Sequence, residues 1–96
     1  MTTKATILTL ALALLPARTQ AAMLAPPGVA ACTGCHPRSG GDPALPQLAG
    51  RNATEIVAAM NAFRSAKRPA TVMDRIAKGF TDDEIAAIAA WYAAQR

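Results

Sequence analysis

The sequence has very few residues of the types that hold metals. It has one histidine and two cysteines, and all three fall within residues 32–36. Because none is left elsewhere in the chain, a zinc site with the usual four Cys or His ligands is excluded. The chain also lacks any stretch of strict apolar and polar alternation, which argues against β-strands and against the βαβ setting of a thioredoxin-like Cys-x-x-Cys site.

Large side chains and net charge are also scarce. Only four aromatic residues occur, Phe63, Phe80, Trp91 and Tyr92, and alanine makes up much of the apolar content. A chain of this size with so few large side chains has a marginal core of its own. The formal net charge is +4, and +2 without residues 1–21, which is too small to indicate nucleic-acid binding. The composition therefore predicts a helical protein that needs a large apolar insert.

The segment Cys32-Thr33-Gly34-Cys35-His36 supplies that insert, because two cysteines at this spacing followed by histidine form the attachment motif of c-type haem. The two sulfurs reach the two vinyl groups on one side of the porphyrin, and the imidazole rises beneath the iron. We predict one haem c, attached through Cys32 and Cys35, with His36 as proximal ligand. A redox dithiol is the first alternative, and a structural disulfide, which would close only a short loop, is the second.

Residues 1–21 have the features of a secretory signal peptide. Lys4 supplies positive charge, residues 5–15 contain only Ala, Thr, Ile and Leu, and Thr19-Gln20-Ala21 offers small residues to a signal peptidase. An apolar helix over residues 5–15 would rise only about 16 Å, well short of the roughly 30 Å hydrocarbon core, so an uncleaved anchor is the weaker alternative. We expect a periplasmic mature domain over residues 22–96 with no stable membrane insertion.

The mature domain is predicted to be all-α. A short helix over residues 29–35 carries the haem motif, and a loop rich in Gly and Pro follows over residues 38–51. A second helix starts at Asn52 and ends before Pro69, and a third spans residues 72–78 and stops at Gly79, which can take a left-handed conformation. The last helix begins at a capping box and spans residues 81–95.

Two of these helices have an apolar face. The face of the second helix would line one side of the haem, and its residues are Ile56, Val57, Met60 and Phe63. The face of the last helix would pack into the core, and its residues are Ile85, Ile88, Ala89 and Tyr92.

The sixth ligand of the iron has to come from a residue other than histidine. Methionine, lysine, water or an open position are the chemical options. Three methionines lie in the signal peptide, at the mature terminus or inside a helix: Met1, Met23 and Met60. Met73 follows an irregular polar segment, residues 65–71, and is 37 residues beyond His36, far enough to reach the opposite haem face. We predict Met73 as the sixth ligand, with Lys67 as its main competitor and core packing as its alternative role.

Together these features resemble the class I c-type cytochromes over essentially the whole mature length. The resemblance is carried by the haem motif, the segment Pro-Gln-Leu-Ala-Gly at residues 46–50, the methionine loop and the C-terminal helix with Ala-Ala-Trp-Tyr-Ala-Ala-Gln. It implies a small all-α fold wrapped around one haem. It also implies that Pro46 accepts a hydrogen bond from the His36 ring, that Leu48 packs on the haem, and that Trp91 crosses the N-terminal helix near residues 29–31.

The chain departs from this pattern in one respect. No tyrosine or tryptophan precedes Met73 to bind the haem propionates. Arg51 is the candidate for that role, and a solvated loop arginine is the alternative interpretation.

A closer resemblance is to the haem subunit of flavocytochrome c sulfide dehydrogenase, carried by Phe63-Arg64-Ser65 and by the run Met-Asp-Arg-Ile-Ala-Lys-Gly-Phe at residues 73–80. Some of those subunits have two haem motifs, whereas this chain has one. The resemblance implies electron transfer from a sulfide-oxidising flavoprotein to a downstream cytochrome or oxidase, with no catalysis by this chain alone. A free monohaem carrier serving an oxidase or reductase is one alternative, and a haem enzyme or gas sensor with an open sixth position is another.

Basic residues are concentrated around the predicted methionine loop. Five flank it: Arg64, Lys67, Arg68, Arg75 and Lys78. They are candidates for steering a redox partner towards the haem edge. Chance clustering on a solvated face is the alternative interpretation.

Overall fold

The structure, a computed structural model, describes residues 24–95, so the predicted signal peptide, Met23 and Arg96 lie outside it. Four helices occur in the described range: α1 (Ala30–Thr33), α2 (Ala53–Arg64), α3 (Met73–Ala77) and α4 (Asp82–Ala93). No strand is present among residues 24–95, and the all-α prediction is confirmed. None of the described helices combines the length and apolar character needed to cross a bilayer.

Helix α1 is shorter than the predicted helix over residues 29–35, because the residues after Thr33 form hydrogen-bonded turns and not a continuous helix. Beyond Thr33, the amides of Cys35 and His36 both donate to the Cys32 carbonyl, at 3.2 and 2.8 Å. Gly34 keeps a right-handed conformation, with φ −62° and ψ −36°. The haem motif therefore forms one compact helical turn that presents both thiols and the imidazole.

Helix α2 begins where the sequence predicts. The Asn52 side chain accepts a hydrogen bond from the Thr54 amide at 2.9 Å and caps the helix. Ile56 is buried, and Val57, Met60 and Phe63 are partly buried on the inner face of the helix.

The end of α2 differs from the prediction, because the helix stops at Arg64 and not just before Pro69. Ala66 adopts a left-handed conformation with φ 58°. The Lys67 amide then donates to the Ala62 carbonyl at 2.9 Å, which is the long bond of a Schellman motif. Glycine usually occupies this position, so an alanine there gave no sign of the helix end.

Helix α3 agrees with the predicted helix over residues 72–78 to within one residue at each end. The predicted left-handed conformation of Gly79 is wrong, because this glycine is not among the described residues with positive φ. Its amide donates to the Ile76 carbonyl at 3.0 Å, so the chain leaves α3 through a right-handed turn.

Helix α4 has the predicted capping box at its start. The Thr81 hydroxyl accepts from the Glu84 amide at 3.2 Å, and the Glu84 carboxylate accepts from the Thr81 amide at 2.8 Å. The acidic first turn also stabilises the positive end of the helix dipole. The helix ends at Ala93, slightly before the predicted end at residue 95.

The core lies where α4 packs against α2 and the segment around α1. Its buried members are Val29, Ile56, Ile88, Ala89, Trp91 and Tyr92. Helix α3 packs on α2. Gly28 has φ +88°, and a Cβ placed there would lie 2.7 Å from the Phe80 ring, so only glycine lets Phe80 approach the segment before α1. Because Val29 packs in the same cluster as Trp91 and Tyr92, the two ends of the described chain meet in one core.

Candidate haem site

A cleft opens between α1, α2, α3 and α4, and it consists of two adjoining cavities. The inner cavity has a volume of about 110 Å³. The outer cavity has a volume of about 240 Å³. The residues shared by both linings are His36, Leu45, Leu48, Ile56, Met60, Val72 and Met73. Because these residues line both cavities, the two spaces form one continuous cleft.

The predicted attachment residues lie at the inner cavity. Cys32 and Cys35 both line it, the first half-buried and the second exposed, and both are free thiols. Burial raises the pKa of the Cys32 thiol. The sulfur of Cys32 is 3.9 Å from the Gly28 carbonyl. Helix α1 and the turn that follows it therefore place two thiols in the lining of one apolar cleft.

His36 is held by hydrogen bonds to both its ring and its backbone. The Nδ1 atom of its ring lies 2.9 Å from the Pro46 carbonyl oxygen and donates to it in the Nδ1–H tautomer. That tautomer leaves Nε2 free as a ligand. The His36 backbone carbonyl accepts a hydrogen bond from the Tyr92 hydroxyl at 2.7 Å. Only 9% of the residue surface is exposed, so few alternative partners are available to it.

Tyr92 connects the last helix to this histidine. The side chain is fully buried, and burial, with a smaller contribution from nearby Cys32, raises the pKa of Tyr92 to about 12. The hydroxyl therefore remains a hydrogen-bond donor at any ordinary pH. The Tyr92 backbone carbonyl also accepts from the Gly50 amide at 2.9 Å.

Met73, the first residue of α3, lines the same inner cavity as the residues of the haem motif. It is partly buried and lines both cavities, as Met60 does. Lys67 is exposed and is absent from the linings of these two cavities. The cleft thus brings two methionine side chains, and not the predicted competitor Lys67, to the region that contains His36.

Charged side chains line only the outer cavity. Arg51 and Arg68 both line it, together with Glu55. The Arg68 guanidinium carbon is 4.8 Å from the centre of the Phe63 ring, a cation–π contact that fixes its direction. Sequence reasoning placed Arg51 here but missed Arg68. The position of Arg68, five residues before Met73, is the sequence feature that could have indicated a place in the site.

Arg64 has a different position from the other basic residues of the predicted cluster. Its guanidinium is 2.8 Å from the Asp82 carboxylate, and 30% of its side chain is exposed. The other four, Lys67, Arg68, Arg75 and Lys78, are exposed. The exposed basic surface near Met73 therefore lacks only Arg64, which is engaged in an ion pair.

The residues of the cleft fit a haem. Apart from His36 and the two cysteines, the inner cavity is lined by aliphatic and methionine side chains, which suit an apolar macrocycle. Two arginines occur only at the outer cavity, where they suit the two carboxylates of such a cofactor. Imidazole nitrogen and thioether sulfur are both established ligands of haem iron.

Comparison with known proteins agrees with this chemistry. No protein-family model matches the chain. Cytochrome c-554(548) of Halomonas halodenitrificans is 35% identical over 72 residues, which cover 70% of this chain and 87% of that protein. The cytochrome subunit of sulfide dehydrogenase of Chlorobaculum tepidum is 37% identical over 62 residues, 64% of this chain. The match spans only 56% of that subunit.

These similarities and the all-α fold show that the chain belongs to the class I c-type cytochromes. Membership of this family implies covalently bound haem c and electron transfer through it.

Proposed function

We propose that this chain is a monohaem electron-transfer protein in which Cys32 and Cys35 form the two thioether bonds and His36 and Met73 ligate the iron. The observation that carries the proposal is that all four side chains line one apolar cleft. When bound, the haem supplies the one-electron ferrous and ferric cycle. The protein contributes the ligands and keeps water away from them.

The histidine side of the site orients its ligand through Pro46. Donation from Nδ1–H to the Pro46 carbonyl, at 2.9 Å, fixes the ring and raises its basicity as a ligand. Leu48 covers the cofactor from the same segment, because it lines both cavities. Arg51 and Arg68 bind the haem carboxylates at the outer cavity.

Covalent attachment is tested by denaturation and extraction with acidic organic solvent. The wild-type protein should keep its haem through both treatments, whereas a Cys32→Ala/Cys35→Ala variant should release any haem it binds. Haem that extracts from the wild type would disprove thioether attachment. The Met60→Ala variant is the matched control, since it alters the cleft and leaves both sulfurs in place.

Residues 1–21 serve as a cleaved signal peptide in this proposal, and the mature protein works in the periplasm. Mass spectrometry of the haem protein isolated from a periplasmic fraction should give a chain that starts at Ala22 or within two residues of it. A full-length chain retained in the membrane fraction would contradict the assignment.

We further propose a flavoprotein that oxidises sulfide as the electron donor, and a cytochrome or oxidase as the acceptor. The similarity to a sulfide dehydrogenase cytochrome subunit supports this role. A free carrier is the second candidate, because the match to cytochrome c-554(548) covers far more of that relative. Copurification with tagged protein distinguishes the two. A flavin-containing partner that remains bound at high salt supports the subunit, and a haem protein isolated alone supports the carrier.

A further inference from the structure

The hydrogen bonds around His36 form a closed circuit. The imidazole Nδ1 lies 2.9 Å from the Pro46 carbonyl, and Pro46 lies four residues before Gly50. The Gly50 amide donates to the Tyr92 carbonyl at 2.9 Å. The Tyr92 hydroxyl then returns to the His36 carbonyl at 2.7 Å. We call these four residues the histidine frame.

Tyr92 is the only member of the histidine frame that belongs to a helix, and it is the best buried. It has no exposed surface, and it makes one bond of the circuit with its side chain and another with its backbone. Trp91 packs edge-on against its ring, with the two centroids 5.0 Å apart. A residue fixed in this way cannot move without displacing either the histidine backbone or the segment that carries Pro46.

We propose that Tyr92 is a positioning residue for the proximal ligand, and that it sets the length of the His36–Pro46 hydrogen bond and thereby the reduction potential. The inference rests on the proposed role of His36 as an iron ligand. Donation from Nδ1–H makes the imidazole a more basic ligand, which stabilises ferric iron. If the frame loosens, the ring donates less, the ferric form loses stabilisation and the potential rises.

The test is the Tyr92→Phe variant of the holoprotein, which keeps the ring and removes only the hydroxyl. We expect its reduction potential to rise by about 20 to 40 mV. This corresponds to roughly a two- to fivefold change in a one-electron equilibrium at 59 mV per tenfold. We also expect the His36 Nδ1–H proton, followed by NMR, to exchange with solvent at least several times faster than in the wild type.

The matched control is Thr81→Ala, which weakens the start of the same helix without removing a bond of the histidine frame. It should lower stability and leave both the potential and the Nδ1–H exchange rate at their wild-type values. If Tyr92→Phe also leaves both at wild-type values, or if Thr81→Ala changes them equally, the positioning role is wrong. Wild-type protein without the NMR signals of an axial histidine would overturn the proposed function first, before any variant is compared.

Discussion

The two sides of the cleft are built differently. On the histidine side, hydrogen bonds join parts of the chain that are far apart, such as Tyr92 to His36 over 56 residues and Arg38 to Gln95 over 57 residues. On the methionine side, the loop before Met73 is held by local bonds. The amides of Lys67 and Arg68 both donate to the nearby Ala62 carbonyl, for example.

The two sides also differ in how completely their buried polar atoms are hydrogen-bonded. Within the described chain, the two buried side-chain polar atoms without a hydrogen-bond partner are Arg64 Nε and Asp74 Oδ1, and Asp74 directly follows Met73. Val72, on the other flank of the methionine, is 50% exposed. The comparison sets one proposed ligand, fixed by the histidine frame, against another, held at the start of α3 after a loop. We therefore expect substitutions on the two sides to have different effects.

The largest expected effect is that of Met73→Ala. Loss of the thioether should abolish the weak charge-transfer absorption of ferric iron–sulfur ligation. It should also lower the potential by on the order of 0.1 V, within the roughly 0.8 V over which axial ligands tune haem. Because the proposed thioether bonds to Cys32 and Cys35 do not involve Met73, the haem should stay in place. Absorption spectroscopy and redox titration provide the measurements.

Met60→Ala is the control for that substitution, since Met60 lines the same two cavities. Its charge-transfer absorption should be unchanged. If the band persists in Met73→Ala and disappears in Met60→Ala, the ligand assignment is reversed and the loop has no part in ligation.

The next effect concerns the contact between Gly28, just before α1, and Phe80, between α3 and α4. In Gly28→Ala, a left-handed backbone and a Cβ only 2.7 Å from the Phe80 ring both oppose folding. We expect a loss of about 2 to 4 kcal/mol, measured by denaturant unfolding of the holoprotein. Gly40→Ala is matched, because Gly40 has φ +69° and nothing within 4 Å, so it should cost about 1 kcal/mol. Equal losses would mean that the Phe80 contact contributes nothing.

The cap of α4 provides a test that should affect neither proposed ligand, because Thr81 lines neither cavity. Thr81→Ala removes the hydroxyl that accepts from the Glu84 amide and should cost about 1 kcal/mol. The charge-transfer absorption and the potential should stay at wild-type values. A shifted potential at unchanged stability would show that the start of α4 is coupled to the iron.

The smallest effect should be kinetic and should arise on the methionine side. Lys67 is exposed in the loop before Met73, so Lys67→Glu should slow oxidation of the ferrous protein by anionic hexacyanoferrate(III) about two- to fivefold at low salt. The difference should disappear towards 1 M salt, where the Debye length is only about 3 Å. Arg38→Glu changes the net charge equally on the histidine side and should have little effect. Equal slowing by both variants would indicate net charge alone, with no local steering.

Sequence patterns predicted most of the fold. The capping box at Thr81, the cap at Asn52 and the apolar face of α4 all depend on neighbouring residues, and the structure has each of them. The helix ends were harder to predict. Ala66, at the end of α2, is left-handed although it is not a glycine, and Gly79, at the end of α3, is a glycine that is not left-handed. Residue type alone therefore predicts neither helix end.

The candidate site was predictable only in its local part. The motif at residues 32–36 specifies two thiols and an imidazole by spacing alone. The contact of Tyr92 with His36 depends on how α4 meets the segment after α1, and the contact of Arg68 with Phe63 depends on the left-handed turn at Ala66 that ends α2. Tyr92 therefore looked like a residue of an apolar face, and its hydroxyl gave no indication of a partner 56 residues away.

The separation between Tyr92 and His36 also has a consequence for the order of assembly. Ribosomal synthesis proceeds from the N-terminus, so the haem motif is made well before the residue that completes its hydrogen bonding, 56 positions later. Contacts of such long sequence separation form late and slow folding. A nascent or truncated chain that ends before Tyr92 would therefore contain every residue needed for attachment while its histidine remained incompletely fixed. The final geometry of His36 is therefore acquired only when α4 docks.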